Sequence, residues 1–323
     1  MDSLFFSNIA KLRAIRHLCE VFKERFSLGD FEVISEPSLR EMTIYDPWMN
    51  MLRQTSNLAS AFIGGADILS VHAHDLIYKN LTHAKVSALG VRQSRNQFHV
   101  LKEESFLSRV KDPAKGSYAL ESLTRELIEK SFDLFKNWEA QKGLLKNLET
   151  FSRDVKEVSI KRREYLATNK VSIAGVNSFS HLDEKFEFNL NSDKEDLFPL
   201  RRTSEEFELL REKAQQQKIK NILLVCGEES KLSGRIMFCT NYFEVLGHQV
   251  DILFYKDDVK KYVADNVIVC ALDEEYQNYI EKLSSKIHGK KYIAGKKFSQ
   301  KDYTNVYAGQ NILKILSLAM GEH

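Results

Sequence analysis

From Lys220 onward, apolar runs of strand length alternate with helical stretches, and this alternation constrains the fold more than any other feature of the chain. Strand-like runs fall at 220–226, 249–254, 266–271 and 290–294, with a weaker one near 305–308. Helical spacing fills 232–246, 256–263, 274–288 and 309–320. Strands that alternate with helices form a parallel sheet covered on both faces, because each parallel crossover needs a helix-sized connection. The spacing therefore predicts a doubly wound, flavodoxin-like α/β domain over 203–323, with any ligand beyond the carboxyl ends of the strands.

Upstream the pattern is mostly helical. Helices are predicted over 4–26, 46–63, 86–108, 118–139 and 152–168, with short strands at Phe31–Ser35 and Ile68–His72. That order suits a partial (β/α) TIM-type barrel over 1–179, although a closed barrel needs eight strands and roughly 250 residues. The polar stretch 180–202 reads as a linker, and Thr203-x-x-Glu206 reads as a capping box for a helix through about Gln217.

The formal net charge is +2 over 323 residues, with both signs interspersed, so nothing points to nucleic acid. The cluster Lys161-Arg162-Arg163 reads as a solvated helix face. No segment approaches the ~18 apolar residues of a membrane span, and the start Met1-Asp-Ser-Leu-Phe-Phe lacks the basic region of a signal peptide. Cys19, Cys226, Cys239 and Cys270 show no metal spacing, and Cys226 and Cys270 end apolar runs as small buried hydrophobes. A reduced, cytoplasmic protein is expected.

Several segments carry a family resemblance. Phe5-Phe6-x-x-Ile9-Ala10-Lys11-Leu12-Arg13-Ala14, Asp46-Pro47-x-x-Asn50-Met51-Leu52-Arg53 and Gly64-Gly65-Ala66-Asp67 occur in order. Arg95-Asn96, Glu103-Glu104-Ser105, Asp112-Pro113-x-x-Gly116-Ser117-Tyr118 and Gly175-Val176-Asn177 follow, then Tyr303 and Tyr307-Ala-Gly309. Together they resemble the adenosylcobalamin-dependent methylmalonyl-CoA mutase family, from the second half of its barrel onward. The first half of that barrel has no counterpart here, so it is either absent from this chain or supplied by another.

Cobalamin-binding domains of that family carry Asp-x-His-x-x-Gly after the first strand of the doubly wound domain, with the His on cobalt. Here the corresponding positions are Glu229, Lys231 and Gly234. A protonated Lys offers a metal no lone pair. The nucleotide-tail segment is altered around Ala271-Leu272-Asp273, and a later Gly-Gly pair reads Ala294-Gly295. With Asp67 where catalytic chains favour Gln, the resemblance implies the small, non-cobalamin-binding subunit type, paired with a catalytic chain that holds adenosylcobalamin and the CoA ester. A divergent cobalamin-binding fragment with residual activity and a stand-alone flavodoxin-like module stay open as alternatives.

Other residues are weighed on local grounds. Glu103 and Glu104 match the family's contacts to the adenosyl ribose, but a structural pairing with Arg95 or Arg109 is the simpler expectation. His72 and His74, two apart on a strand and beside Asp75, lack a third ligand at metal spacing. Ser117 is a candidate N-cap, and Trp48 and Trp138 read as packing residues able to anchor a partner surface.

Overall fold

The computed structural model describes residues 2–81, 85–182, 184–186 and 201–321. These divide into two compact units. One contains the described residues up to Val158 with Arg201–Thr203, and the other those of Ser159–Phe186 with Ser204–Gly321. Most of the segment read as a linker lies outside the described residues.

The first unit orders α1 (Phe5–Phe26), β1 (Ile34–Ser35), α2 (Pro47–Ile63), β2 (Ile68–Leu69), α3 (Leu76–Leu81), α4 (Ala88–His99) and α5 (Tyr118–Ala140). α6 (Leu148–Ala167) begins in it, and its basic cluster 161–163 is exposed as expected. The strands expected at 31–35 and 68–72 shrink to a parallel pair two residues long, flanked by backbone bonds from Asp67 to Val33 and from Ser70 to Ser35, beyond which the chain bonds to side chains. His72 N–H, for example, donates to Gln54 Oε1 at 2.7 Å. The helix expected over 86–108 stops as α-helix at His99 and ends in a single π-turn, Val100–Glu104. α3 was not anticipated, since a six-residue helix is too short to show a period.

The family-like motifs have direct structural work. Asn50 is fully buried, accepts from Thr43 N–H at 3.0 Å, and donates to the carbonyls of Thr43 at 2.8 Å and His74 at 3.0 Å. Arg53 donates to the same Asn50 oxygen. Arg13 joins α1 to α5 through Thr124 and Glu121, and to the segment before α5 through Asp112. Gly64 lets Leu12 approach, since a Cβ there would sit 2.8 Å from Leu12 Cδ1. Asp67 accepts from Val33 N–H at 2.8 Å and Arg16 at 2.7 Å, which holds its carboxyl below the usual carboxylate range.

The second unit is built on one all-parallel sheet. Its elements are α7 (Glu205–Gln215), β3 (Asn221–Val225), α8 (Glu229–Glu244), β4 (Val250–Phe254), β5 (Tyr262–Cys270), α9 (Tyr276–Leu283), β6 (Ile287–Ala294), β7 (Tyr303–Val306) and α10 (Ile312–Met320). The strand order is β4-β3-β5-β6-β7. Alternate residues of β3 serve opposite faces. Leu223 and Val225 join a core with Phe207, Phe243 and Leu316 from α7, α8 and α10, whereas Ile222 and Leu224 join one with Ile280 and Leu283 of α9. Cys226 and Cys270 are buried, and burial pushes both thiols up.

Three expectations need correction here. No helix forms over 256–263. Tyr262 instead opens β5, where its buried ring packs with Tyr255 and Val259, so the β4–β5 crossover is a bare loop. The helix expected over 274–288 is cut to α9 because Ile287 begins β6 and pairs with Tyr262. The helix expected from Thr203 has Ser204 at its N-cap position without a side-chain cap bond, the Ser204 hydroxyl donating instead to the Glu208 carboxylate at 2.9 Å, so the Thr203/Glu206 capping box does not form.

Candidate functional site

A doubly wound sheet presents ligands to the loops at its strand carboxyl ends. The first of these loops is minimal. β3 runs into buried Cys226, then Gly227 at φ 124°, and α8 is already formed at Glu229. A Cβ on Gly227 would meet Glu275 Oε2 at 3.2 Å, so the bare glycine is required for this tight entry.

Lys231 and Gly234 therefore lie within the opening turns of α8. Lys231 Nζ is 2.7 Å from Glu228 Oε2, one turn away, and both side chains are exposed. The hydrogen bond with Glu228 raises the Lys231 pKa, while Lys231 and the Ser230 hydroxyl lower that of Glu228. Lys231 is thus an ammonium at neutral pH. Glu229 is the first helical residue, where its carboxylate suits the helix dipole. Around Gly234, a Cβ would find no atom within 4 Å.

One turn on, Arg235 reaches over the strand ends. Its Nη1 donates to the Ala271 carbonyl, and its Nη2 to Asp273 Oδ1 at 2.9 Å. Asp273 also sits 3.5 Å from Lys297 Nζ. Tyr276, completely buried, donates its hydroxyl to the Ala294 carbonyl at 2.5 Å and stacks on Phe298 at 5.5 Å between centroids. Asn305 braces the same turn by donating to the carbonyls of Gly295 at 2.7 Å and Phe298 at 2.5 Å. The segments singled out from sequence, 271–273 and 294–295, are thus brought together, but they bond to each other through Arg235 and Tyr276. Sequence reading missed those two residues, because Asp273 lies 38 positions from Arg235 and no local signal joins them.

The remaining candidates stay separate. Glu103 lies 3.6 Å from Lys102, while the Arg109 guanidinium stacks on Phe106 at 3.8 Å, so the expected structural pairing with Arg95 or Arg109 is not made. His72 Nε2 is 3.1 Å from Glu36 and 3.2 Å from the Pro37 carbonyl. His74 is buried against Trp48, with centroids 4.5 Å apart, and burial lowers its pKa. Ser117 occupies the N-cap of α5 without a side-chain bond. Among the described residues no group of His, Cys, Asp and Glu is arranged to hold a metal, and no helix is long and apolar enough to cross a membrane.

A parallel, two-faced sheet with ligand-side loops braced by internal ion pairs, preceded by helices and a parallel strand pair, defines an α/β protein of the β/α-repeat class. The chain belongs to the methylmalonyl-CoA mutase family, whose model matches residues 1–244. It is 31% identical over 246 residues to the "Probable methylmalonyl-CoA mutase small subunit" of Mycobacterium tuberculosis, covering 73% of this chain and 39% of that one. It is 30% identical over 310 residues to the methylmalonyl-CoA mutase small subunit of Porphyromonas gingivalis, covering 86% and 49%. With the small subunit of Streptomyces virginiae, identity is 35% over 189 residues, covering 56% and 29%. The chain spans less than half the length of these relatives.

Proposed function

We propose that this chain is a non-catalytic, small-subunit-type component of a methylmalonyl-CoA mutase. In this reading residues 1–179 are part of a mutase-type barrel, 180–202 a linker, and 203–323 a flavodoxin-like domain of cobalamin-binding descent. The chain binds no cobalamin. It pairs in the cytoplasm with a catalytic chain that holds adenosylcobalamin. Isomerisation of methylmalonyl-CoA to succinyl-CoA belongs to that partner's site. The strand order β4-β3-β5-β6-β7 supports the flavodoxin-like assignment, being 2-1-3-4-5 in the unit's own count.

One observation carries the reading: the residue matching the cobalt-ligand His is Lys231, an ammonium held 2.7 Å from Glu228 on an already formed helix. It has no lone pair for a metal. The loops around it do not fit the cofactor either, since Arg235 already occupies the Ala271 carbonyl and Asp273.

A cobalamin titration tests this, with the purified chain alone and with a catalytic mutase subunit, followed by visible absorbance and size-exclusion chromatography. The expected result is no cobalamin bound by the chain alone and a stable complex on mixing. Stoichiometric cobalamin on the isolated chain would overturn the reading.

A further inference from the structure

The bare β4–β5 crossover leaves β4 as an uncovered edge. Among the described residues β4 pairs with β3 alone, and Ile252, Leu253 and Phe254 are 43%, 39% and 45% exposed. Natural edge strands are protected by lysine, proline or a bulge. Val250–Phe254 has none of these, and Asp251 is its one charge. We propose that β4 is an isologous interface, in which a second copy of this chain adds its own β4 antiparallel across a two-fold axis and the two sheets become one.

The backbone fixes which residues can meet. Tyr255 N–H donates to the Val225 carbonyl at 2.8 Å, so the odd-numbered residues of β4 bond inward to β3. Val250, Ile252 and Phe254 therefore present their N–H and C=O groups outward. An antiparallel ladder joins outward residues to outward residues, which restricts the two-fold axis to a few positions. With the axis at Ile252, that residue faces its own copy and Val250 faces Phe254 of the other chain. All three are β-branched or aromatic and lie on the α8 side of the sheet, so the pairing is apolar throughout that face. With the axis at Leu253, Val250 would face Lys256. With the axis at Phe254, Asp251 would face Asp257, a like-charge pair. The arrangement centred on Ile252 satisfies the outward backbone and opposes no like charges. A closed two-fold dimer is the symmetry such a self-complementary edge produces.

Sedimentation velocity of the full chain tests this with two charged variants, Ile252→Lys and Ile252→Glu. The wild type should sediment as a dimer, and each variant should weaken it by at least about tenfold, because like charges would face each other at the axis. Mixing the two variants should restore dimers. Met237→Lys, on the exposed surface of α8, should leave the dimer intact. Far-UV circular dichroism confirms the fold of each variant, and Phe254→Glu should reproduce the dissociation should Ile252→Lys or Ile252→Glu not fold. A monomeric wild type, a dimer indifferent to these changes, or variants that fail to recombine would overturn the proposal. So would a monomer that binds a catalytic mutase chain through Ile252, which would assign the edge to that partner.

Discussion

Arg235 Nη2 donates to Asp273 Oδ1 over 2.9 Å, and this ion pair ties α8 to the loop leaving β5. Replacing Arg235 with Met should cost about 1–3 kcal/mol, because the Ala271 carbonyl and one Asp273 oxygen lose their donor together. Tyr276→Phe should cost a similar amount, about 1–3 kcal/mol, since the buried Ala294 carbonyl is left without its partner. Urea denaturation measures both.

Gly234 gives a test of opposite sign. It sits inside α8 with open space where a Cβ would be, so nothing in this structure requires a glycine. Gly234→Ala should stabilise the chain by about 0.5–1 kcal/mol through helix propensity. A loss of stability in thermal melts would show that the backbone there needs a freedom the helix does not reveal.

Restoring a ligand should not restore the site. Lys231→His supplies an imidazole, but α8 still begins at Glu229 and Arg235 still spans the strand ends. Visible absorbance should show no cobalamin retained by Lys231→His, alone or combined with Glu229→Asp. Retention by the double variant would mean that the loop reopens at little cost.

Acid should weaken the first unit in two stages. Burial keeps His74 neutral with a lowered pKa, and such a group stabilises the fold above its unfolded value, near 6.5, and ceases to as pH falls. Glu121 is lowered by Arg13 and the Gly116 N–H, and Asp67 by the Val33 N–H and Arg16. Both keep stabilising until pH drops from about 4 through their lowered folded values. Melting temperature against pH should fall in these two windows, and Asp67→Asn should flatten the lower one.

Much of this architecture is legible in the chain. The runs ending at Cys226 and Cys270 are buried on both faces, so after Asn221 and Asn266, which bond to each other, they are continuously apolar and easily recognised as strands. Motifs such as Asp46-Pro47-x-x-Asn50 mark family and also build the turn that Asn50 holds. The failures share a cause. The helix expected over 256–263 does not form, because Tyr262 pairs with Ile287 and that partner lies far along the chain. The Lys231 substitution is visible in sequence, whereas Arg235 and Tyr276 are not, because their partners lie on other strands and loops.

The bare crossover is folded back on itself. Val259 N–H closes a turn on the Lys256 carbonyl at 3.3 Å, and Lys256 N–H donates to the Tyr262 hydroxyl at 3.3 Å. Fully extended, Tyr255–Lys261 would span up to about 25 Å, so the loop holds chain in reserve. A two-residue slip of β4, which keeps every side chain on its proper face, needs only ~7 Å of it. In this domain the register of the edge strand rests on the side chains it aligns and not on the length of its tether.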